Sequence, residues 1–141
     1  MLVNVSSKVQ EASIKELLEY AVFADPDALQ KVMKQYAEAD HILYALEDQE
    51  EYVALLGVTP AKEGIMELKH LVVRPDERMK GYGRGIIVEL LLEEKPAVLE
   101  AITDDTTVDF FRNIGFQIID FIDQSGREYY KCIYDAEDEE D

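Results

Sequence analysis

Residues Leu68 to Arg84 read LKHLVVRPDERMKGYGR, and the reading of this stretch decides the fold. An apolar strand ends at Pro75, a short polar loop follows, and a run of glycines opens directly into a helix. Four cations, Arg74, Arg78, Lys80 and Arg84, crowd here in a chain with 14 lysines and arginines and a formal net charge of −17. Three of its 7 glycines, Gly81, Gly83 and Gly85, stand at the same place. A helix favours acids at its amino end and cations at its carboxyl end. This one starts with Lys80 and Arg84 and carries Glu89, Glu93 and Glu94 in its later turns. The reversal makes sense if an anion docks on the amino end, where free N–H groups and the positive dipole end favour phosphate. Glycine lets the backbone approach such a ligand closely. The competing reading is a flexible glycine loop with no ligand, which leaves the reversed charges unexplained.

The 141 residues fit one domain with a real core. Hydrophobic residues at 48% and charged residues at 32% describe a soluble globular protein. No apolar run approaches the ~18 residues of a membrane span, and Met1 opens no signal-peptide pattern. The expectation is therefore a cytoplasmic protein with no membrane partner. A single cysteine, Cys132, excludes an internal disulfide and a cysteine metal cluster, so no metal is expected. The acidic balance argues against nucleic acid as a partner and mildly favours cationic amines. Part of the charge lies in residues 135–141, DAEDEED, read as a disordered, solubilising tail after a domain spanning 1–134.

Going outward from the central stretch, the period and punctuation of the chain give the remaining elements. A short strand lies within Leu2 to Val9. Ala12–Ala21 reads as a helix with Ile14, Leu17, Leu18 and Ala21 at helical spacing. Asp25 as N-cap and Pro26 at the first helical position start a second helix, with Leu29, Val32, Met33 and Tyr36 on one face. His41–Leu46, Tyr52–Val58 and Met66–Val73 follow as an antiparallel meander with short polar turns. A helix over Gly83–Glu94 turns Ile86, Ile87, Leu90 and Leu91 inward and stops at Lys95-Pro96. Ala97–Thr103 is a strand, and Asp104 or Asp105 caps a short helix, Val108–Asn113, ending at Gly115. Phe116–Ile122 and Glu128–Tyr134 close the chain as a hairpin. The fold class is α/β (α+β mixed sheet), in the order β-α-α-β-β-β-α-β-α-β-β, with helices on the faces of one sheet.

Which phosphate loop this is can be decided by spacing. A P-loop requires Gly-Lys-Ser/Thr, which Gly83-Arg84-Gly85 lacks. A dinucleotide fingerprint requires G-x-G-x-x-G in a parallel βαβ unit, whereas this chain has G-x-G-x-G after an antiparallel meander. The remaining pattern is Val73-x-Pro75-x-x-Arg78-x-x-Gly81-x-Gly83 between strand and helix. It resembles the motif of the GNAT superfamily of acyl-CoA-dependent N-acyltransferases, Arg/Gln-x-x-Gly-x-Gly/Ala. Phe110-Phe111-Arg112-Asn113-Ile114-Gly115-Phe116 is similar to that family's closing motif, and the order of elements agrees from Leu2 to Tyr134.

The resemblance implies acetyl-CoA as cosubstrate and a primary amine as acceptor, joined by direct attack in a ternary complex. The segment Arg78, Met79, Lys80, Gly81, Tyr82, Gly83 and Arg84 would hold the CoA diphosphate. The strand edge at Leu71, Val72 and Val73 would bond the pantetheine arm, and Asp104 and Phe111 complete the cofactor set. The glycine-loop strand and the next one, Ala97–Thr103, should part to admit the arm. A Val73 backbone amide would stabilise the oxyanion. Family members often pair, so a homodimer is among the states implied.

Glu67 is the candidate general base, at the offset from the loop that a catalytic glutamate has in the histone-acetylating branch. A base is useful because alkylamines have pKa values near ~10.4. The alternative is that Glu67 pairs with Lys69, two residues on along the same strand face. Glu100 and Asp104 stand behind it as further bases, and His70, on the other face, reads as a packed or exposed strand histidine. The position where many family members carry a general-acid tyrosine is here Phe111. Tyr82 is placed to contact CoA. Cys132 reads as a buried core thiol. Phe111 and the acidic tail motivate a second reading, a CoA-binding regulatory or interaction module with little or no turnover.

Overall fold

The computed structural model describes residues 1–22, 25–38 and 40–136. Most of the acidic tail, residues 137–141, lies outside the described residues; Asp135 ends the last strand, and the Ala136 amide donates to the Ala97 carbonyl at 3.0 Å. The elements are β1 (Leu2–Asn4), α1 (Ala12–Ala21), α2 (Pro26–Tyr36), β2 (Ile42–Asp48), β3 (Glu51–Val58), β4 (Ile65–Val73), α3 (Tyr82–Glu94), β5 (Val98–Thr103), α4 (Val108–Asn113), β6 (Gln117–Ile122) and β7 (Glu128–Asp135). Among the described residues the strands form one mixed sheet in the order β1-β2-β3-β4-β5-β7-β6. The chain divides into two compact units, Met1–Pro60 with His70–Lys95, and Ala61–Lys69 with Pro96–Asp141. β4 is a continuous strand whose residues belong to both.

In the first unit β1, β2 and β3 pair antiparallel. The β2–β3 turn is shorter than the sequence expects. Asp48 pairs with Glu51, so Gln49 and Glu50 alone make the turn, both at positive φ (51° and 67°). Positive φ at both central residues is the geometry that matches the twist of two strands in a tight hairpin. α2 starts as its sequence requires, with Asp25 Oδ1 accepting from the amides of Asp27 (3.0 Å) and Ala28 (3.4 Å). Ile14, Leu17 and Leu18 of α1 and Leu29, Val32, Met33 and Tyr36 of α2 pack on Leu43, Ala45, Leu55 and Val72. Each such aliphatic burial contributes roughly 1.5–3 kcal/mol. α3 buries Gly83, Ile86, Ile87 and Leu90, while Leu91 is only partly covered.

Tyr36 fixes a detail of this core. Its ring is 1% exposed and lies across Gly57 of β3, where a β-carbon would stand 1.6 Å from the hydroxyl and 2.4 Å from the ring carbon bearing it. Gly57 is thus the residue that leaves room for the tyrosine.

In the second unit β4 pairs parallel with β5 from Ile65↔Val98 to Leu68↔Ala101. These register pairs end short of the strands' own ends at Val73 and Thr103. β7 pairs antiparallel with both β5 and β6. The β6–β7 turn is closed by Asp123 Oδ1, which accepts from the amides of Ser125 and Arg127, each at 2.9 Å, while Gly126 takes φ 85°. α4 begins at Val108, but neither Asp104 nor Asp105 is its N-cap. Thr107 holds that position without a side-chain cap. Asp104 instead closes the turn before it, with Oδ1 accepting from the Thr106 amide (3.1 Å) and hydroxyl (2.6 Å). Phe111 and Phe116 meet edge-to-face at 5.2 Å and, with Val108, Leu99, Ala101 and Cys132, are buried.

Gly57→Ala is expected to destabilise the protein by about 1–3 kcal/mol, the usual range for forcing atoms into a packed core. Urea unfolding checks this, and the penalty should shrink in a Tyr36→Ala background, because the two side chains compete for one space.

Candidate active site

The cofactor-loop candidates lie in the first unit. β4 runs to Val73, Pro75–Glu77 form one 3-10 turn, and α3 begins at Tyr82. Its N-cap is Gly81, at φ 84° and ψ 10°, a left-handed conformation that glycine adopts without strain. Gly81 has no side chain with which to cap the helix, and the first turn holds no acid. The first helical bond runs from the Gly85 amide to the Gly81 carbonyl at 2.9 Å. A β-carbon at Gly81 or Gly85 would meet no atom within 4 Å, so the approach to this end of the helix is open. Met79 also has positive φ (68°) and is fully exposed. The helix therefore starts without a side-chain cap, and main-chain amides at such a start are of the kind that anions bind.

The side-chain charges have more local partners than the sequence shows. Lys80 Nζ lies 2.8 Å from Glu77, Arg74 reaches Glu51 and Asp76 at 3.6 Å each, and Arg78 Nε donates to the Val73 carbonyl at 3.3 Å. Glu77 lifts the Lys80 pKa, chiefly through that hydrogen bond. Much of the cationic surplus in this stretch is thus answered by neighbouring acids, and the case for an anion rests on the main chain. At the far end of α3, the Tyr44 hydroxyl donates to Glu94, which gives one of the misplaced acids a partner. Burial, first, and then the Glu94 bond raise the Tyr44 pKa. Tyr82, expected to contact CoA, donates its hydroxyl to Asp48 at the end of β2 at 2.7 Å.

His70 shows what sequence reasoning missed. It is half-buried, and its Nδ1 lies 2.5 Å from the Tyr36 hydroxyl, with the rings 5.6 Å apart. Burial raises the Tyr36 pKa, so the phenol remains protonated. The bond ties α2 to β4 one residue before Leu71. Only the periodicity of α2, which puts Tyr36 on its buried face, hinted at it.

Glu67, Asp104 and Phe111 belong to the second unit. Strand alternation turns Glu67 and Lys69 away from the buried Met66 and Leu68. Glu67 Oε2 is 2.7 Å from Lys69 Nζ, with the side chains 52% and 41% exposed. The Lys69 hydrogen bond, and next its charge, hold the Glu67 carboxyl below its usual range. It is in its proton-accepting, ionised form at neutral pH, but the lowered pKa makes it a weaker base. Glu67 lines a cavity of about 530 Å³ together with Lys69, Glu100, Ile102, Phe121 and Lys131. Glu100 lies 3.5 Å from Lys131 Nζ.

Asp104 is held below the usual carboxylate range chiefly by the Thr106 hydrogen bond, which commits it to its turn. Phe111 is 3% exposed and packs against Phe110 and Phe116. Cys132 is buried, and desolvation pushes its thiol up to about 11, which disfavours the nucleophilic thiolate.

The model of the GNAT acetyltransferase domain family matches residues 6–125. The chain belongs to this family. An "uncharacterized N-acetyltransferase in lysA 3'region" of Bacillus methanolicus is 34% identical over 67 residues, 47% of this chain and 56% of the relative, so the match spans about half the length of that protein. Among solved structures, a GNAT-family protein of Desulfovibrio desulfuricans superposes with TM-score 0.79 at 15% identity, covering 96% of this chain and 98% of that one. The aminoglycoside 6'-N-acetyltransferase of Enterococcus faecium gives 0.76 at 16%, covering 96% of each. A GNAT acetyltransferase of Elizabethkingia anophelis, solved with acetyl-CoA bound, gives 0.72 at 13%, covering 96% and 97%. At these identities the likeness concerns the fold. Among the described residues no helix is long and apolar enough to cross a membrane.

A carboxylate with a depressed native pKa stabilises the fold above its unfolded pKa, and that contribution is lost as pH falls through the native value. Glu67 is exposed enough that solvent screens most of this effect. Site-resolved carbon NMR should find Glu67 titrating below an ordinary glutamate, and Lys69→Met should move it back up. An unchanged titration would show that the pair does not form in solution.

Proposed function

We propose that the protein moves an acetyl group from acetyl-CoA to a primary amine by direct attack in a ternary complex. One observation carries this reading: α3 opens on left-handed Gly81, uncapped and free of acids in its first turn, at the end of the loop that follows β4. The amides from Arg78 to Arg84 are the proposed diphosphate cradle, and the edge at Leu71–Val73 is the proposed seat of the pantetheine arm. Acetyl-CoA supplies the acetyl group as a thioester: the amine nitrogen bonds to the carbonyl carbon, the C–S bond breaks, and the thiolate departs. A thiolate (pKa ~8.5 as a free thiol) is a tolerable leaving group even when water protonates it. That suits a chain with phenylalanine at position 111 and with the Tyr82 hydroxyl engaged by Asp48. A Val73 amide in the oxyanion role would act where charge develops.

Glu67 is the proposed base. Lys69 keeps it anionic, which favours attraction of the acceptor's ammonium, while the lowered pKa weakens it as a base. Glu67→Gln separates base from orienting carboxylate. A base loses turnover most at neutral pH and recovers as pH rises, whereas an orienting carboxylate raises KM and leaves the pH profile unaltered.

The second reading, a CoA-binding module without turnover, draws on the missing hydroxyl at Phe111. A thiol-release assay with acetyl-CoA and a broad amine panel distinguishes them: tight cofactor binding with no amine consumed would favour the module. Acetyl-CoA at a hundredfold excess over Kd should stabilise the protein by about 2.7 kcal/mol, read as a rise in Tm. Gly83→Glu should abolish that rise, because it adds bulk and like charge at the proposed cradle. Since Gly83 is buried, a circular dichroism spectrum checks that the variant is folded. Gly85→Glu, at a position with open space, should have the same effect on the rise. Unchanged CoA affinity in that variant would overturn the loop assignment.

A further inference from the structure

The cavity beside Glu67 is built on a sheet face of the second unit. Its charged walls come from β4 (Glu67, Lys69), β5 (Glu100) and β7 (Lys131), and its apolar walls include Ile102 and Phe121. About 530 Å³ falls within the range of small-molecule sites, roughly 300–1,000 Å³. Two features of the wall are unusual. Glu67 and Glu100 are register partners on adjacent parallel strands, and like charges placed side by side on a sheet repel. Ile102 and Phe121 are large apolar residues left 64% and 36% exposed.

The carboxylates are balanced one for one by lysines, but unequally. Lys69 sits 2.7 Å from Glu67, a full charge-assisted bond, whereas Lys131 stands 3.5 Å from Glu100, outside the ordinary N–H···O range of about 2.7–3.2 Å. The Lys131 ammonium, with three N–H donors, keeps capacity for an anion. Glu100, only 21% exposed, is the most shielded of the four charges. A bare amine entering here would meet an ammonium as well as a carboxylate. A polycation would find no surplus of carboxylates, even though the whole chain carries a charge of −17. A molecule with one charge of each sign satisfies both ends of the wall at once.

We propose that this cavity takes the acceptor as an amino carboxylate of moderate size: its ammonium sits between Glu67 and Glu100, its carboxylate on Lys131, and its apolar body on Ile102 and Phe121. This rests on the amine-acetylation reading above and names its substrate class. Lys131 is then the specificity-determining residue. Register places it opposite Ile102 on one side and Ile119 on the other, so it lies among the apolar residues that would receive the body of the ligand.

The test compares phenylalanine, phenethylamine (the same amine without its carboxylate) and an aminoglycoside. Binding is followed by ligand-observed NMR and acetylation by thiol release. Phenylalanine should bind about tenfold or more tightly than phenethylamine, the size of one charge-assisted contact. Lys131→Met should erase the difference while leaving the acetyl-CoA-induced rise in Tm intact, and Lys69→Met provides a second variant with an independent fold check. Phenethylamine or the aminoglycoside binding as tightly as phenylalanine, no binding of any of the three, or a preference untouched by Lys131→Met would overturn the inference. Acetyl-CoA binding retained alongside such a result leaves the acetyltransferase reading standing. Loss of acetyl-CoA binding in the wild-type protein strikes that reading itself.

Discussion

A helix that begins on glycine exposes its first amides to whatever lies beyond them, and much of this structure follows from where α3 begins. Gly81 in the left-handed region turns the chain from the loop after β4 into the helix without offering a side-chain oxygen of its own. Four orphan donors at a helix start are costly to bury and useful to expose. Here the glycines at 81 and 85 leave open space where other residues would put a β-carbon. The helix is anchored by its other surfaces, through Ile86, Ile87 and Leu90 in the core and through Glu94 bonded to Tyr44.

β4 is the second constraint. One face of the strand is buried through Met66, Leu68 and Val72, with His70 half-buried and bonded to Tyr36. The other carries Glu67 and Lys69 in a mutual ion pair. Both sets of side chains are fixed by strand alternation, so a one-residue slip would exchange the core residues for the charged ones. The tyrosine–histidine bond opposes such a slip, because Tyr36 lies over Gly57 and its hydroxyl is bonded to His70. A segment proposed to bind a cofactor along its edge is thus held in register by contacts on its buried face.

The charge reading and the packing reading of the loop differ in an instructive way. Counting cations suggests a strongly electropositive start to α3, whereas the folded chain pairs Lys80 with Glu77 and Arg74 with Glu51 and Asp76. Exposed pairs of this kind contribute little stability, but they redistribute the local field. The uncapped start of α3 on Gly81, set by the backbone, does not depend on that redistribution. It agrees with membership of a family whose model covers residues 6–125.

What the sequence determined by itself is whatever short-range stereochemistry controls. Asp25-Pro26 starts α2, Lys95-Pro96 ends α3, DQSGR closes the last hairpin, and 3.6-residue spacing selects the buried faces of α1 and α2, because each is decided within one turn of chain. The glycine spacing at 81, 83 and 85 likewise marked where α3 starts. Only the tertiary structure decided which distant groups meet: Tyr36 with His70, Tyr44 with Glu94, Tyr82 with Asp48, and the charges of three strands around one cavity. The three hydrogen-bonded pairs are 34, 50 and 34 residues apart, and packing of the helices on the sheet brings them together, while strand register assembles the cavity; local propensity carries no record of either.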